Sequence, residues 1–159
     1  MPLGPRQALQ KFGPLLTVRF GLADPDPDTW QAFGEPIPEP IALTALIDTG
    51  ASHTTLRRGA TARLRIPPTA VLGIDGVDGP MEEEAPGYFG HLLFTKVGNA
   101  SESLVLPCTV FEGLPLDSRV DCLIGRDVLM QGRLTYDGMG ARCELRLRGE
   151  QVQLLPLPE

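Results

Sequence analysis

Apolar and polar residues alternate along much of this chain with a period of two. In PLLTVRF, residues 14 to 20, Leu16, Val18 and Phe20 alternate with Thr17 and Arg19, which predicts a strand with one buried face. IALTALI, 41 to 47, predicts a second strand, and SLVLPCTVF (103 to 111) and VDCLIG (120 to 125) read as core strands separated by the turn-like EGLPLDSR. Near the end, Cys143, Leu145 and Leu147 alternate with Arg142, Glu144, Arg146 and Arg148, the clearest half-buried strand in the sequence. Asp137-Gly138 supplies a hairpin turn between RLTY and that strand, and Gly149-Glu150 a turn into a last strand at 151 to 155. Only RDVLMQ, 126 to 131, has a helical pattern, and Gly132 ends it in under two turns. ADPDPDTWQAFGEPIPEP, 23 to 40, is rich in proline and acid and predicts a long exposed loop.

Composition sharpens this picture. Eighteen glycines and sixteen prolines, scattered between short apolar runs, leave little room for long helices, so the expected class is all-β. The 159 residues suit one domain over 1–159, with 1–13 as an N-terminal extension and 23–40 as an acidic insertion. A formal net charge of −6 provides no electrostatic footprint for nucleic acid or an anionic membrane, so neither is an expected partner. The first twenty residues break their apolar positions with charges and prolines, and no window is apolar enough to span a bilayer, so the expectation is a soluble cytoplasmic protein.

Metal and cofactor chemistry find little support. Cys108, Cys122 and Cys143 lack C-x-x-C spacing and read as three reduced thiols. Asp24, Asp26, Asp28 and Glu35 mimic the acidic positions of a calcium loop, but Thr29 stands where its sharp turn needs glycine, and two prolines intervene. His53 and His91 have no Cys or His neighbours at ligand spacing, and no G-x-S-x-G occurs. No metal and no cofactor are therefore expected.

The chemistry lies in ALIDTGASHTTL, 45 to 56. Asp48 closes an apolar strand and is followed by Thr49 and Gly50, so rigid backbone at a strand end would hold its carboxylate toward a cleft; the plainer reading is an aspartate that caps a turn. Two further stretches bear on the choice. In VLGIDGVDGP, 71 to 80, Gly73, Gly76 and Gly79 punctuate apolar Val71, Leu72, Ile74 and Val77, which suits a mobile hairpin whose backbone approaches a ligand. In DCLIGRDVL, 121 to 129, an apolar strand passes through Gly125 into a short helix.

In this order the three stretches resemble the retropepsins, the single-lobe aspartic proteases of retroviruses and their cellular relatives. The resemblance runs from PLLTVRF to CELRL, most of the chain, and rests on the D-T-G-A and L-I-G-R motifs in combination. It implies a closed single-lobe β-barrel with one short helix near its C-terminal part. It makes Asp48 the catalytic aspartate, with Thr49 and Gly50 supplying the hydroxyl and backbone groups that hold it. Gly73, Ile74, Asp75, Gly76 and Val77 become the flap over a peptide substrate, while Ala51, Ser52 and His53 border the substrate pockets. Leu123-Ile124-Gly125 packs beneath the active-site loop. The sequence departs from the retroviral pattern at Ser52 and His53, where an acid usually follows D-T-G-A; Arg126 therefore needs another partner, such as a neighbouring subunit.

Amide hydrolysis by carboxylates needs one group to deprotonate water and another to protonate the carbonyl oxygen. No second D-T-G or D-S-G exists, since Asp75-Gly76, Asp78-Gly79 and Asp137-Gly138 lack the intervening hydroxyl residue. A two-fold dimer would set Asp48 beside its own copy. The expected function is a homodimeric aspartic endopeptidase; the alternative is a non-catalytic peptide-binding or dimerisation module on the same barrel.

Overall fold

In the computed structural model, which describes residues 2–75 and 81–157, the period-two segments form the expected all-β barrel. Strand β1, Leu15–Gly21, buries Leu16, Val18 and Phe20 completely and pairs antiparallel with β2, Ile41–Ile47, which turns Ile41, Leu43, Ala45 and Ile47 inward. Next to β2 lies β7, Cys122–Ile124, parallel to it, and then β3, Thr55–Arg57, antiparallel to β7. The long strands β5, Met81–Lys96, and β6, Asn99–Leu114, complete the ring, because β6 pairs with β3 and β5 pairs with both β6 and β1.

The closed order β1-β2-β7-β3-β6-β5 encloses Phe20, Leu43, Ile47, Leu56, Leu92, Phe94, Leu106, Val110 and Ile124 in one apolar cluster. Each such side chain contributes about 1.5–3 kcal/mol when fully buried. Closure at β1–β5 depends on Gly90, where a Cβ would stand 2.5 Å from the Gly21 carbonyl oxygen and 2.6 Å from the Phe20 ring. β5 also extends beyond the barrel to form a hairpin with β4, Ala70–Asp75. A meander of β8 (Gly132–Asp137), β9 (Arg142–Leu147) and β10 (Glu150–Val152) joins the other end of β5 through Val152 and Lys96.

Helix content exceeds the single expected helix. The pattern at 126 to 131 appears as α3, Arg126–Leu129. Among the described residues two more α-helices form: α1, Pro5–Phe12, in the extension, and α2, Pro27–Ala32, within the segment read as loop. Their prolines stand at the first helical turn, where the missing N–H is not needed and the fixed φ suits a helix. Asp26 caps α2 by accepting from the Asp28 N–H at 3.1 Å and the Thr29 hydroxyl at 2.8 Å. Gly13, at φ 72°, ends α1 and donates to the Leu9 carbonyl, while Ala8 and Leu9 are buried. Beyond β10, the Leu155 N–H donates to Leu15 O at 2.8 Å, so the chain returns to the strand with which the barrel starts.

Candidate active site

Asp48 is placed by the strand before it and the strand beside it. Its N–H donates to Ile124 O at 3.0 Å, extending the parallel β2–β7 ladder by one residue, and its carbonyl accepts from Ala51 N at 3.2 Å to close a tight turn. Within that turn the Gly50 N–H donates to Asp48 Oδ1 at 2.8 Å. The aspartate is half-buried, whereas Thr49 and Gly50 are exposed, so backbone backs the carboxylate on one side and the other side is left accessible. Thr49 contributes through its carbonyl, which accepts from Arg126 Nη1 at 2.8 Å. The arginine for which the sequence offered no acid thus finds a partner in its own chain.

Beneath the loop, packing is tight enough to exclude any side chain at Gly125. A Cβ there would lie 2.5 Å from the His53 carbonyl carbon, 2.7 Å from its oxygen and 3.0 Å from Ala51 O. Backbone bonds from Arg126 N to Ala51 O (2.8 Å) and from Asp127 N to Ser52 O (3.3 Å) join α3 to the loop. Leu123-Ile124-Gly125 therefore underlies the Asp48 turn as expected.

Asp127 is the residue that sequence reasoning missed. Its carboxylate accepts from Thr54 N at 3.0 Å, from the Thr54 hydroxyl at 2.8 Å and from Val128 N at 2.8 Å. Thr54 is fully buried and returns the connection, its hydroxyl oxygen accepting from Gly125 N at 3.1 Å. An acid immediately after G-R was visible, but nothing local identifies a partner 73 residues away. Glu112 does similar work for the following turn, accepting from Gly59 N, Thr61 N and the Thr61 hydroxyl.

The remaining candidates extend from this loop toward the β4–β5 hairpin. Ala51 and His53 are half-buried and Ser52 is exposed; Ser52 Oγ lies 2.8 Å from His53 Nδ1. The His53 ring meets Phe111 edge-on, with centroids 5.4 Å apart. Phe111 in turn packs on Gly87, where a Cβ would stand 2.7 Å from its ring and 3.0 Å from Ala70 Cβ, at the root of the hairpin. Gly73, Ile74 and Asp75 pair with Glu84, Glu83 and Met81. Gly76 and Val77 lie outside the described residues.

The nearby thiol is a poor nucleophile. Burial first, and the Asp127 carboxylate second, push the Cys108 thiol up to about 12, and burial holds Cys122 well above the ordinary thiol value. Among the described residues no three His, Cys, Asp or Glu side chains converge as metal ligands, and no second carboxylate shares a hydrogen bond with Asp48. A cleft of about 560 Å³ between α1, β9 and the segment after β10 is lined by Leu9, Leu15, Val97, Cys143 and Leu155, away from Asp48. The arrangement can therefore present one carboxylate, held by an N–H donor, to whatever occupies the accessible side of the turn.

Comparison with known proteins bears on this arrangement. A family model described as aspartyl protease matches residues 39–128, more than half of the chain. No curated protein matches the sequence. Among solved structures, the chain is similar to the retroviral protease-like domain of Ddi1 from Leishmania major, with 15% identity and a TM-score of 0.44 over 89% of this chain and 94% of that one. It is also similar to the EIAV protease complexed with the inhibitor HBY-793, with 20% identity and a TM-score of 0.32 over 56% of this chain and 75% of that one.

Proposed function

The chain belongs to the aspartyl protease family, and from that premise we propose that it is an aspartic endopeptidase whose active unit is a homodimer, with Asp48 contributed once by each subunit. The observation that carries this reading is the half-buried Asp48 carboxylate, held by the Gly50 N–H in a chain with a single D-T-G. Two such carboxylates about 3 Å apart repel by roughly 5 kcal/mol at an effective dielectric of about 20, and a shared proton relieves that repulsion. The ionised partner then takes a proton from water while the protonated partner donates to the scissile carbonyl oxygen, so neither a covalent intermediate nor a metal is needed. Activity accordingly falls on both sides of an acidic optimum, where the pair loses or gains its one proton.

Substrate lies extended between the Asp48 turn and the β4–β5 hairpin, in which Gly73, Ile74 and Asp75 belong to the flap. Main-chain hydrogen bonds hold it, and Ala51, Ser52 and His53 border the pockets that select its side chains. The packing of His53 on Phe111, and of Phe111 on Gly87, supports a continuous wall from loop to hairpin.

The test is incubation with a diverse peptide mixture at acidic to neutral pH, with cut sites read by mass spectrometry. Wild type is expected to cut internal bonds and Asp48→Asn to cut none. Equal cleavage by the two proteins refutes the assignment; saturable binding of a statine-type inhibitor without cleavage by either indicates a peptide-binding module instead.

A further inference from the structure

The His53 side chain is fixed at one ring nitrogen and open at the other. Its backbone is held first: the carbonyl accepts from the Thr55 hydroxyl at 3.0 Å and packs on Gly125, where no Cβ fits. The half-buried ring is then held twice, with Nδ1 at 2.8 Å from Ser52 Oγ and the imidazole meeting the Phe111 ring edge-on. Little rotamer freedom is left to lose, so the ring meets a ligand already oriented. Nε2 remains, with no hydrogen-bond partner among the described residues.

The open nitrogen is a donor. With the Ser52 hydroxyl donating to Nδ1, the ring proton stands on Nε2; in the protonated ring both nitrogens carry hydrogen, and Nδ1 donates to the serine oxygen instead. Only the other neutral tautomer turns Nε2 into an acceptor, and an incoming carboxylate selects against that form. No acid of the chain stands ready to occupy this donor. From Thr49 to Ile74 the sequence has none, although the formal net charge is −6. The carboxylates that the fold brings near are committed elsewhere, Asp127 to Thr54 and Val128, Glu112 to Gly59 and Thr61. Arg126, which donates to Thr49 O, likewise pairs with no carboxylate among the described residues, so a cation without a counter-charge borders the loop as well.

We propose that the pocket bordered by Ser52 and His53 selects an acidic side chain of the peptide substrate, aspartate or glutamate, with His53 Nε2–H donating to its carboxylate. The inference rests on the peptidase reading and names the substrate class of that same site. A carboxylate is the acceptor-only partner that such a donor fits, and its charge makes the bond about twice as strong as a neutral one. An amide presents its own N–H₂ as readily as its oxygen, and lysine or arginine sets donor against donor. Buried Phe111 keeps water from the far side of the ring, which strengthens the bond further.

Cut-site profiling on a diverse peptide mixture, followed by kcat/KM on matched peptides with Asp, Asn, Ala or Lys at the selected position, tests the proposal. Wild type is expected to enrich Asp and Glu at one fixed distance from the cut and to prefer Asp over Ala there by roughly tenfold or more, with Lys the poorest. His53→Leu keeps bulk against Phe111 but has no donor, and should bring the Asp-to-Ala ratio to about one. Should that variant fold poorly, Ser52→Asp at an exposed position gives an independent reading. Its carboxylate takes up the imidazole and repels a substrate acid, so the Asp-to-Lys ratio should fall by roughly tenfold or more. Capture of the same peptides by Asp48→Asn, read by mass spectrometry, separates this inference from the peptidase reading. No acidic enrichment among cut peptides, or ratios unchanged in both His53→Leu and Ser52→Asp, overturns the His53 assignment and leaves the protease standing. Selective capture of acidic peptides by Asp48→Asn with no cutting by wild type overturns the protease and leaves the acid-selecting pocket. Neither cutting nor capture overturns both.

Discussion

Replacing Asp127 with alanine removes an acceptor that ties the chain just after the Asp48 loop to α3, and the cost can be worked from the hydrogen bonds it makes. The carboxylate accepts from Thr54 N, the Thr54 hydroxyl and Val128 N. Val128 N retains a second acceptor, the Gly125 carbonyl at 3.2 Å, so it is not orphaned. Thr54 is different: at 0% exposure neither of its donors can turn to water. Each buried donor left unpaired costs about 1–3 kcal/mol, and with Asp127 itself only half-buried the expected loss is about 3 kcal/mol. Asp127→Asn retains the shape and one acceptor oxygen but turns an N–H₂ toward a donor, for about 1–2 kcal/mol. Urea denaturation followed by circular dichroism reads both. At a slope of about 2 kcal/mol/M, Asp127→Ala lowers the midpoint by about 1.5 M with the slope unchanged. The cycle with Thr54→Val isolates the pair, and the double variant should be less destabilised than the sum of the single variants by at least about 1 kcal/mol. A midpoint shift under about 0.5 M for Asp127→Ala, or additive effects in the cycle, would refute the claim that the Asp127–Thr54 pair stabilises the fold.

Gly125→Ala drives a methyl into the backbone of His53 and Ala51, so it should cost about 1–3 kcal/mol and lower peptide cleavage more than Gly98→Ala, whose Cβ meets nothing within 4 Å although its positive φ also strains it; a thermal melt and a rate assay compare the two. The thiols give a pH prediction. The folded state favours the neutral form of Cys108 and Cys122, so that contribution is complete below the ordinary thiol value of 9.0 and is lost as pH rises toward about 12. Melting temperature should fall across this window less steeply in a Cys108→Ala, Cys122→Ala variant, and equal falls would count against burial as the cause. Under native conditions a maleimide should label half-buried Cys143 well before Cys108 or the fully buried Cys122, as peptide mapping would show.

Period and punctuation alone located much of this protein. The alternation at Leu16, Val18 and Phe20, and the runs at 41–47 and 142–147, were readable because a half-buried strand must turn every second residue inward. Asp48 was legible because small residues after an apolar run mark a strand end, a signal confined to four positions. α1 and α2 carried local signals too, in Pro5 at a helix start and in Asp26 with Pro27, but so short a helix repeats its pattern fewer than three times, and proline read as a breaker masked it.

What the chain could not disclose locally is who meets whom across the barrel. Arg126 finds Thr49 at a separation of 77 residues, Asp127 finds Thr54 at 73 and Glu112 finds Thr61 at 51. A hydrogen bond between such residues depends on where closure at β1 and β5 brings two strand ends, and no periodicity in either segment records that. The sequence by itself thus determined which residues face inward and which carboxylate stands at a strand end. Only the tertiary structure decided what holds that carboxylate's loop in place, because the supporting groups become neighbours only when the ring of strands closes.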